Sequence, residues 1–371
     1  MINNICSKAI EKIPSERTVI FEPSEGFSYS HHPFLAYFKG CFYAAWSCGK
    51  RNEDDCGQRI FLCKSENGVR WSKPHAVADP AEFGDPLRVY IAAGFYSDGE
   101  RLNLYYSTFR YSPETVSTDG ERPHADAHHI DGDVLCMTTY DGEKWEAPVS
   151  LGFCQMPNFA PQPIDSGRLL ICGSIMFPYS DDKSGIGDYT LSGIYKDAFG
   201  ANTPIDDSES IMYVKDKLGW DTDILCEGSF FQTDDHIIHM MLRTGKGIMW
   251  CAESRDDGES WSEPVPTEFS SDNAKFCFSR LPDGRFCCIC NPLPSSGRNP
   301  LALFLSEDGE NFNKGYILRD ENYDLRFRGL YKGGIYGYPH SMVQDGYLYV
   351  IYSKRKETIE ITRVSLSSLV P

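Results

Sequence analysis

Reactive side chains recur where predicted strands begin and in the loops that leave them. These residues are His31, His32, Asp54, Asp55, Arg88, Asn158, Glu227, Arg243, Lys275, Asn291, Arg298, Tyr338 and Arg355. Guanidinium groups offer paired N–H donors that suit a carboxylate, and histidines and carboxylic acids can transfer protons. A phenol such as that of Tyr338 becomes a nucleophile when a neighbouring carboxylate, such as that of Glu227, takes its proton. The set predicts a pocket for acid–base or nucleophilic chemistry on an acidic substrate.

A turn motif that occurs four times predicts the elements that hold these residues. In residues 254–261, Asp256 can accept backbone N–H groups, Gly258 can supply a positive φ, and the Trp261 ring can fold back over the turn. Looser copies occupy residues 65–71, 139–145 and 306–312, and each follows a strand of alternating apolar residues. Such repetition is typical of architectures built from one recurring unit.

Strand signals run along almost the entire chain and define six repeated units. The units cover residues 32–79, 88–151, 158–214, 225–269, 274–319 and 338 onward. The sixth unit is one strand short, and residues 18–21 can supply that strand and remove the open sheet edge. We therefore predict an all-β chain with a helix or tail over residues 1–16. Residues 17–371 would form a single six-bladed β-propeller of four-stranded antiparallel blades, its ring closed by the N-terminal strand.

The composition narrows the possible partners. The chain of 371 residues has 36 Lys and Arg against 53 Asp and Glu, and this formal charge of −17 argues against nucleic acid and anionic membranes. Its 14 cysteines lie in strand-like apolar runs, as reduced thiols in a protein core do. No Cys/His spacing typical of zinc and no apolar leader are found, so we expect a cytoplasmic protein without a metal or redox cofactor.

The four turn motifs resemble the Asp-box repeats of sialidases, and the resemblance covers most of the chain, best from residue 225 onward. Glu227 and Arg243 are similar to the acid–base glutamate and the second arginine of that family. Arg298, which follows an Asn-Pro pair, resembles the third arginine, and Tyr338, within Gly-Tyr-Pro, resembles the nucleophilic tyrosine.

This resemblance implies an exo-acting glycoside hydrolase that releases a terminal acidic sugar, sialic acid or uronic acid, from a glycan. Arg243 and Arg298 would hold the sugar carboxylate. His31, His32 and Asp54 or Asp55 would supply proton transfer, with the aspartate as the acid, because this loop is where the family carries its catalytic aspartate. The remaining candidates would contribute further contacts to the substrate: Arg88, Asn158, Lys275, Asn291 and Arg355.

One position departs from the sialidase pattern. Sialidases open their first blade with Arg-Ile-Pro, and here the corresponding sequence is His-His-Pro, so that His31 stands in place of the first arginine. Histidine is mostly uncharged near neutral pH and cannot make a bidentate contact with a carboxylate. Arg51, Arg88 or Lys275 could compensate for the missing arginine.

Two further interpretations remain open. A uronate-specific polysaccharide lyase or a rhamnosyl-glucuronate hydrolase would use His31 or His32 for proton transfer while arginines neutralise the uronate carboxylate. A non-catalytic propeller would bind glycans in the same pocket without turning them over.

Overall fold

The computed structural model describes residues 1–4, 10–112, 129–194 and 224–369. In chain order the strands are β1 Asn3–Asn4, β2 Glu11–Lys12, β3 Glu16–Phe21, β4 Tyr29–Phe38, β5 Cys41–Gly49, β6 Arg59–Ser65, β7 His75–Ala78, β8 Val89–Ser97, β9 Leu102–Tyr111, β10 His129–Thr139, β11 Val149–Ser150, β12 Gln162–Pro163, β13 Leu169–Leu170, β14 Tyr179–Ser180, β15 Leu225–Gln232, β16 Ile238–Thr244, β17 Ile248–Ser254, β18 Val265–Ser270, β19 Cys277–Arg280, β20 Phe286–Cys290, β21 Leu301–Ser306, β22 Asn311–Phe312, β23 Lys314–Arg319, β24 Tyr336–Gln344, β25 Tyr347–Lys354 and β26 Thr358–Ser365. A 3-10 helix, Leu366–Ser368, follows the last strand. These ranges contain no α-helix, and no helix in them is long and apolar enough to cross a membrane. The predicted all-β class is confirmed.

Within the described ranges the strands form six sheets, and the fold is propeller-like. The first, second and sixth sheets have four strands each, in the orders β4–β5–β6–β7, β8–β9–β10–β11 and β24–β25–β26–β3. The fourth sheet contains β15–β16–β17–β18 and the fifth contains β19–β20–β21–β23. The third sheet has only the two-residue strands β12, β13 and β14. The predicted four-stranded antiparallel design therefore holds in the first, second and sixth sheets. The fourth and fifth sheets contain the four antiparallel strands and are extended by β1 with β22 and by β2, respectively. Residues 195–214 of the predicted third unit lie outside the described residues.

The N-terminal segment joins the first and last parts of the chain. Strand β3 pairs antiparallel with β26, with Phe21 opposite Ile359 and Val19 opposite Glu360. The prediction that this strand completes the last sheet is confirmed. Strand β1 lies parallel to β18 and β22, and β2 lies parallel to β23. Residues 1–16, predicted as a helix or tail, thus supply two short strands, and residues 5–9 lie outside the described part.

Three of the four turn motifs share one hydrogen-bond pattern, and residues 254–261 form a version that is one residue longer. In residues 306–312 the Ser306 hydroxyl accepts the N–H of Gly309 at 3.0 Å, and the Asp308 carboxylate accepts the next two backbone N–H groups at 2.8 and 2.7 Å. Equivalent bonds occur in residues 65–71 and 139–145, where Asn67 and Asp141 are the acceptors. The predicted role of the acidic residue is confirmed. The prediction missed the hydroxyl that accepts the glycine N–H, although a serine or threonine opens each of the four motifs in the sequence.

The glycine of each turn also packs against the neighbouring sheet. All four glycines have a positive φ, between 69° and 85°. A Cβ on Gly142 would lie 1.9 Å from the Tyr43 hydroxyl of the first sheet, and a Cβ on Gly68 would lie 2.7 Å from the Tyr349 ring of the sixth. Any larger residue would push adjacent sheets apart, so the repeated glycine serves the packing between sheets as well as the turn.

The Asp308 turn gives a test of this pattern. Asp308→Ala should lower the free energy of unfolding by about 1–2 kcal/mol, because it leaves two backbone N–H groups without their carboxylate acceptor. Partial burial opposes ionisation, but hydrogen bonds from Asn311 and Glu310 lower the pKa of this carboxyl below its ordinary 3.8. The stabilisation should therefore be complete above about pH 4 and disappear as the pH falls through the lower folded-state pKa.

Urea unfolding at several pH values measures this effect. The matched control is Glu307→Ala, at the exposed neighbouring carboxylate. Equal unfolding free energies for the two variants at pH 7 would show that the Asp308 hydrogen bonds do not stabilise the turn.

Candidate active site

Three inner strands carry a β-bulge near their starts. The pairing register shifts there in β4, β15 and β24. At each bulge one non-glycine residue has a positive φ, which is 52° at His32, 49° at Glu227 and 56° at Tyr338. Such conformations cost of order 1–3 kcal/mol and persist only where the surroundings enforce them. The bulges bring these side chains into one cup, defined by His31, His32, Glu227, Arg243, Lys275, Arg298 and Tyr338.

Tyr338, Glu227 and Arg243 form one buried hydrogen-bonded group. The Tyr338 hydroxyl donates to Glu227 Oε1, Arg243 Nη1 donates to Glu227 Oε2, and the same Nη1 lies 3.2 Å from Tyr338 Oη. Burial alone would raise the pKa of the Glu227 carboxyl, but the Arg243 charge and the Tyr338 hydrogen bond hold it below its usual value. Burial and the Glu227 charge raise the pKa of Tyr338 well above 10. The resting pair is therefore a phenol that donates to a carboxylate placed to take its proton.

Arg298 reaches the cup from the loop between β20 and β21. Its Nη2 donates to the Asn273 carbonyl at 3.1 Å, and its guanidinium carbon lies 5.7 Å from the Tyr338 ring centroid. The side-chain oxygen of Asn273 accepts Arg243 Nε at 2.6 Å, so one residue orients both arginines. Arg298 Nη1 is buried and has no hydrogen-bond partner among the described residues. A buried donor of this kind suits an anionic ligand.

The loop that carries Arg298 is held on both sides. Asp272 accepts the backbone N–H of Arg298 at 2.8 Å, and the Asn291 amide donates to the Arg298 carbonyl at 3.0 Å. Asn291, predicted to bind substrate, therefore positions this loop. Gly337 leaves the space into which the guanidinium extends, because a Cβ there would lie 3.4 Å from Arg298 Nη1 and 3.2 Å from His31 Cε1.

The rings of His31 and His32 lie beside the tyrosine, one tilted and the other edge-on to it. Their ring centroids lie 4.0 and 5.0 Å from that of Tyr338. His31 is fully buried, and its Nδ1 lies 2.6 Å from Ser353 Oγ. Burial, and then the charges of nearby lysines, lower the pKa of both imidazoles well below 6.5. Both histidines are thus neutral at pH 7, and neither supplies the charge of a guanidinium.

Lys275 lies beneath the tyrosine ring, among aromatic side chains. Its Nζ donates to the Asn158 carbonyl and lies 4.2 Å from the Phe159 ring centroid and 5.5 Å from that of Tyr338. Burial lowers the pKa of this ammonium to about 8, against the opposing effect of the Glu227 charge. Asn158, predicted to bind substrate, contributes its backbone carbonyl to Lys275.

Glu53 and Lys356 stand beside the histidines, and the sequence prediction missed both. Lys356 Nζ contacts the two Glu53 carboxylate oxygens, each at 2.7 Å. Ligand atoms of His31, His32 and Glu53 lie within 4.8 Å of one another, a spacing that could hold a metal ion. However, the ammonium already occupies both carboxylate oxygens, and Lys275 adds a second positive charge that acts on both histidines. These charges oppose a divalent cation and favour an anion.

Asp54 and Asp55 bind within their own loop. Asp55 is 2% exposed, and its carboxylate accepts the backbone N–H and the side-chain amide of Asn52 at 2.8 and 3.0 Å. Asp54 has a φ of 62°, and its carboxylate lies 3.3 Å from the Gln58 amide nitrogen. The structure places the adjacent Glu53 against the histidines.

Arg88 and Arg355 are engaged away from the tyrosine. Arg88 Nε donates to Asp85 at 3.1 Å and its Nη1 donates to Thr108 at 3.1 Å. Arg355 Nε donates to the Tyr323 carbonyl at 2.7 Å. Lys356, which directly follows Arg355, is the cation that lies in the cup. The sequence shows two adjacent cations and does not show which of them faces the cup.

The described sheets form a propeller-like fold, and the cup lies near the starts of its inner strands. A family model described as a BNR repeat-like domain matches residues 40–350, so the chain belongs to the BNR repeat-like family. The comparison with curated proteins gives no match.

Solved structures with the same fold include several sialidases. One described as a sialidase has a TM-score of 0.66 at 18% identity over 98% of this chain, which spans 35% of that protein's length. The intramolecular trans-sialidase from Ruminococcus gnavus, in complex with oseltamivir carboxylate, has a TM-score of 0.63 at 15% identity, covering 98% of this chain and 99% of the other. The Trypanosoma rangeli sialidase has a TM-score of 0.63 at 12% identity, with coverages of 96% and 60%. At these identities the likeness establishes the fold.

The buried Lys275 gives a prediction about stability. Its pKa of about 8 lies below the 10.5 of a free lysine, so the unfolded chain binds more protons between these pH values. The free energy of unfolding of the natural chain, relative to Lys275→Met, should therefore rise by about 3 kcal/mol as the pH increases through this window.

Chemical denaturation between pH 7 and pH 10 measures the difference. Lys144→Met, at an exposed lysine, controls for the loss of one positive charge. Parallel stability curves for the natural chain and Lys275→Met would contradict the lowered pKa.

Proposed function

We propose that this chain is a sialidase-like glycoside hydrolase that releases a terminal acidic sugar from a glycan. The observation that carries the proposal is the buried contact of the Tyr338 hydroxyl with the Glu227 carboxylate, bridged by Arg243. A phenol paired with a carboxylate is the nucleophile expected of a sialidase-type glycosidase. The trans-sialidase that shares the fold was solved with a ligand named as a carboxylate, which supports an acidic substrate here.

In this mechanism Glu227 accepts the phenol proton as Tyr338 attacks the anomeric carbon. Arg298, whose buried Nη1 has no hydrogen-bond partner in the described part of the chain, holds the sugar carboxylate together with Arg243. The departing glycosidic oxygen needs a proton. Because both histidines are neutral at pH 7, that proton comes from the Lys356 ammonium, which lies beside Glu53 and 5.9 Å from the Tyr338 ring centroid. Water then attacks the anomeric carbon as its bond to the tyrosine oxygen breaks. The proton lost by the water returns to Lys356, and Glu227 returns the phenol proton to Tyr338.

A uronate lyase, or a hydrolase that uses histidine, is the second candidate. The neutral His31 ring lies 4.0 Å from the Tyr338 ring, so either group could remove a proton next to a carboxylate that arginine neutralises. Elimination creates a carbon–carbon double bond conjugated with the carboxylate, and hydrolysis does not. Ultraviolet absorbance of the products therefore separates the two reactions. Measurable glycan affinity without turnover on sialosides or uronides would instead favour a binding protein.

We count the third sheet as a short blade, so that the proposed propeller has six blades. The buried free thiols of Cys287, Cys288 and Cys290 pack as small apolar groups, which supports a reducing, cytoplasmic location. The partner we propose is an acidic glycan, and the overall charge of −17 disfavours nucleic acid and anionic membranes.

Tyr338→Phe tests the nucleophile. The change should lower kcat at least about 100-fold, because the reacting oxygen is removed, and it should leave ligand affinity nearly unchanged. Steady-state kinetics on aryl sialosides and aryl glucuronides, with calorimetric binding, provide the measurement. Tyr336→Phe is the control, since its hydroxyl is bonded to Glu321. Full activity of Tyr338→Phe would remove the tyrosine from the mechanism.

Arg243→Lys tests the guanidinium. A lysine cannot hold Glu227 and the Asn273 oxygen together while facing a carboxylate, so kcat/KM should fall at least tenfold, about 1.4 kcal/mol. Arg168→Lys is the control. Arg168 directly precedes β13 of the third sheet, whereas Arg243 lies in β16 of the fourth, and Arg168 is paired with Asp181 and Glu259. An unchanged kcat/KM for Arg243→Lys would refute its role in the site.

A further inference from the structure

Three buried polar atoms around Tyr338 have no hydrogen-bond partner within the described residues. They are His31 Nε2, His32 Nδ1 and Arg298 Nη1. Arg298 Nη1 and the His31 ring edge lie 3.4 and 3.2 Å from the point where a Cβ on Gly337 would be, so they are neighbours on one side of that backbone. Buried polar atoms are normally satisfied, and an adjacent set of unsatisfied ones indicates where ligand groups bind.

The tautomer of His31 decides what its free nitrogen can bind. Ser353 Oγ lies 2.6 Å from His31 Nδ1 and 3.3 Å from the Gly337 carbonyl, which can only accept. When the hydroxyl donates to that carbonyl, it must accept from His31 Nδ1–H, and both hydrogen bonds form. In the other tautomer the proton is on Nε2, and the Ser353 hydroxyl donates to Nδ1 instead of to the Gly337 carbonyl. Only one of the two hydrogen bonds then forms, and the buried Nε2–H has no partner. The two-bond arrangement leaves Nε2 as a bare acceptor.

The surrounding charges favour the same tautomer. Lys356, Arg298 and Lys275 all act on His31 as positive charges. A lone pair at Nε2 is attracted by these cations, whereas an N–H dipole at that position would be repelled. The ring also remains neutral at pH 7 because of its burial. His31 therefore presents an acceptor where a sialidase would present the donors of an arginine.

We propose that the cup recognises a hydroxylated sugar acid of the uronate class, through its carboxylate at Arg298 and a neighbouring hydroxyl donated to His31 Nε2. In a uronate, the ring carbon beside the carboxylate-bearing carbon carries a hydroxyl. In a sialoside, that position is deoxygenated, so the sugar cannot present a hydroxyl beside its carboxylate. A carboxylate oxygen placed against His31 would meet a second acceptor. The inference rests on the proposed function only in taking the Tyr338 cup as the sugar site.

Sites built to hydrogen-bond a hydroxyl discriminate strongly against analogues that lack it. Calorimetry with the catalytically silent Tyr338→Phe chain should therefore show methyl β-D-glucuronide binding at least tenfold more tightly than its 4-deoxy analogue. The methyl glycoside of N-acetylneuraminic acid should also bind at least tenfold more weakly. Methyl β-D-glucoside, which lacks the carboxylate, reports the contribution of Arg298.

Substitutions of His31, combined with the 4-deoxy sugar, measure the coupling between this side chain and the 4-hydroxyl. His31→Gln keeps an acceptor near the Nε2 position and should retain most of the preference for the 4-hydroxyl. His31→Leu removes the acceptor and should abolish that preference, weakening the glucuronide about tenfold and the 4-deoxy analogue little. Should His31→Leu fail to fold, two-bond ¹H–¹⁵N spectra of the natural chain report the tautomer directly. The same spectra of Ser353→Ala test the role of the serine. A proton on Nε2 in this variant would show that the Ser353 hydroxyl fixes the tautomer.

A protonated Nε2 in the natural chain, equal affinity for glucuronide and its 4-deoxy analogue, or tighter binding of the sialoside would each overturn the inference. These results concern binding alone, so they are distinguishable from failure of the proposed hydrolysis. An inactive chain with the expected ligand preference would refute the hydrolase and leave the specificity standing.

Discussion

The buried carboxylate of Glu227 is the constraint on which the rest of the site depends. It is 8% exposed, and a buried charge without partners costs several kcal/mol. Its partners come from different parts of the chain, since Arg243 lies on the next strand of the same sheet and Tyr338 lies 111 residues away on the sixth sheet. The charge is therefore tolerated only when the fourth and sixth sheets hold their places around a common axis. The Tyr338–Glu227–Arg243 group therefore forms only when the fourth and sixth sheets are correctly assembled.

Two features of the fold maintain that geometry. Strand β3 covers the edge of β26, so that the last sheet is completed by the start of the chain. The turn glycines let each outer hairpin pack closely against a neighbouring sheet, as Gly142 does against Tyr43. With the sheets held in this way, the bulges at His32, Glu227 and Tyr338 can keep their unfavourable backbone conformations. The cup is thus stabilised by contacts far from its own residues.

Local patterns in the sequence were sufficient for much of this description. Alternating apolar residues predicted strands, the Asp-Gly turns predicted the outer hairpins, and residues 18–21 predicted the completion of the last sheet. The prediction also brought Glu227, Arg243, Arg298 and Tyr338 to one place, as the structure does. The predicted strands, turns and proximity agree with the structure because strand period and turn chemistry depend on residues close in sequence, and because starts of inner strands meet at the axis of a propeller.

The sequence by itself determined the all-β class, the repeated hairpins and the residue types available to the cup. Only the tertiary structure decided that Glu53 stands against the histidines, and that Lys356 bonds to Glu53 while Arg355 bonds to the Tyr323 carbonyl. The physical reason is that side-chain direction in a loop or a bulge changes with a single positive φ. That φ is enforced by packing against sheets distant in the chain, which no local pattern records.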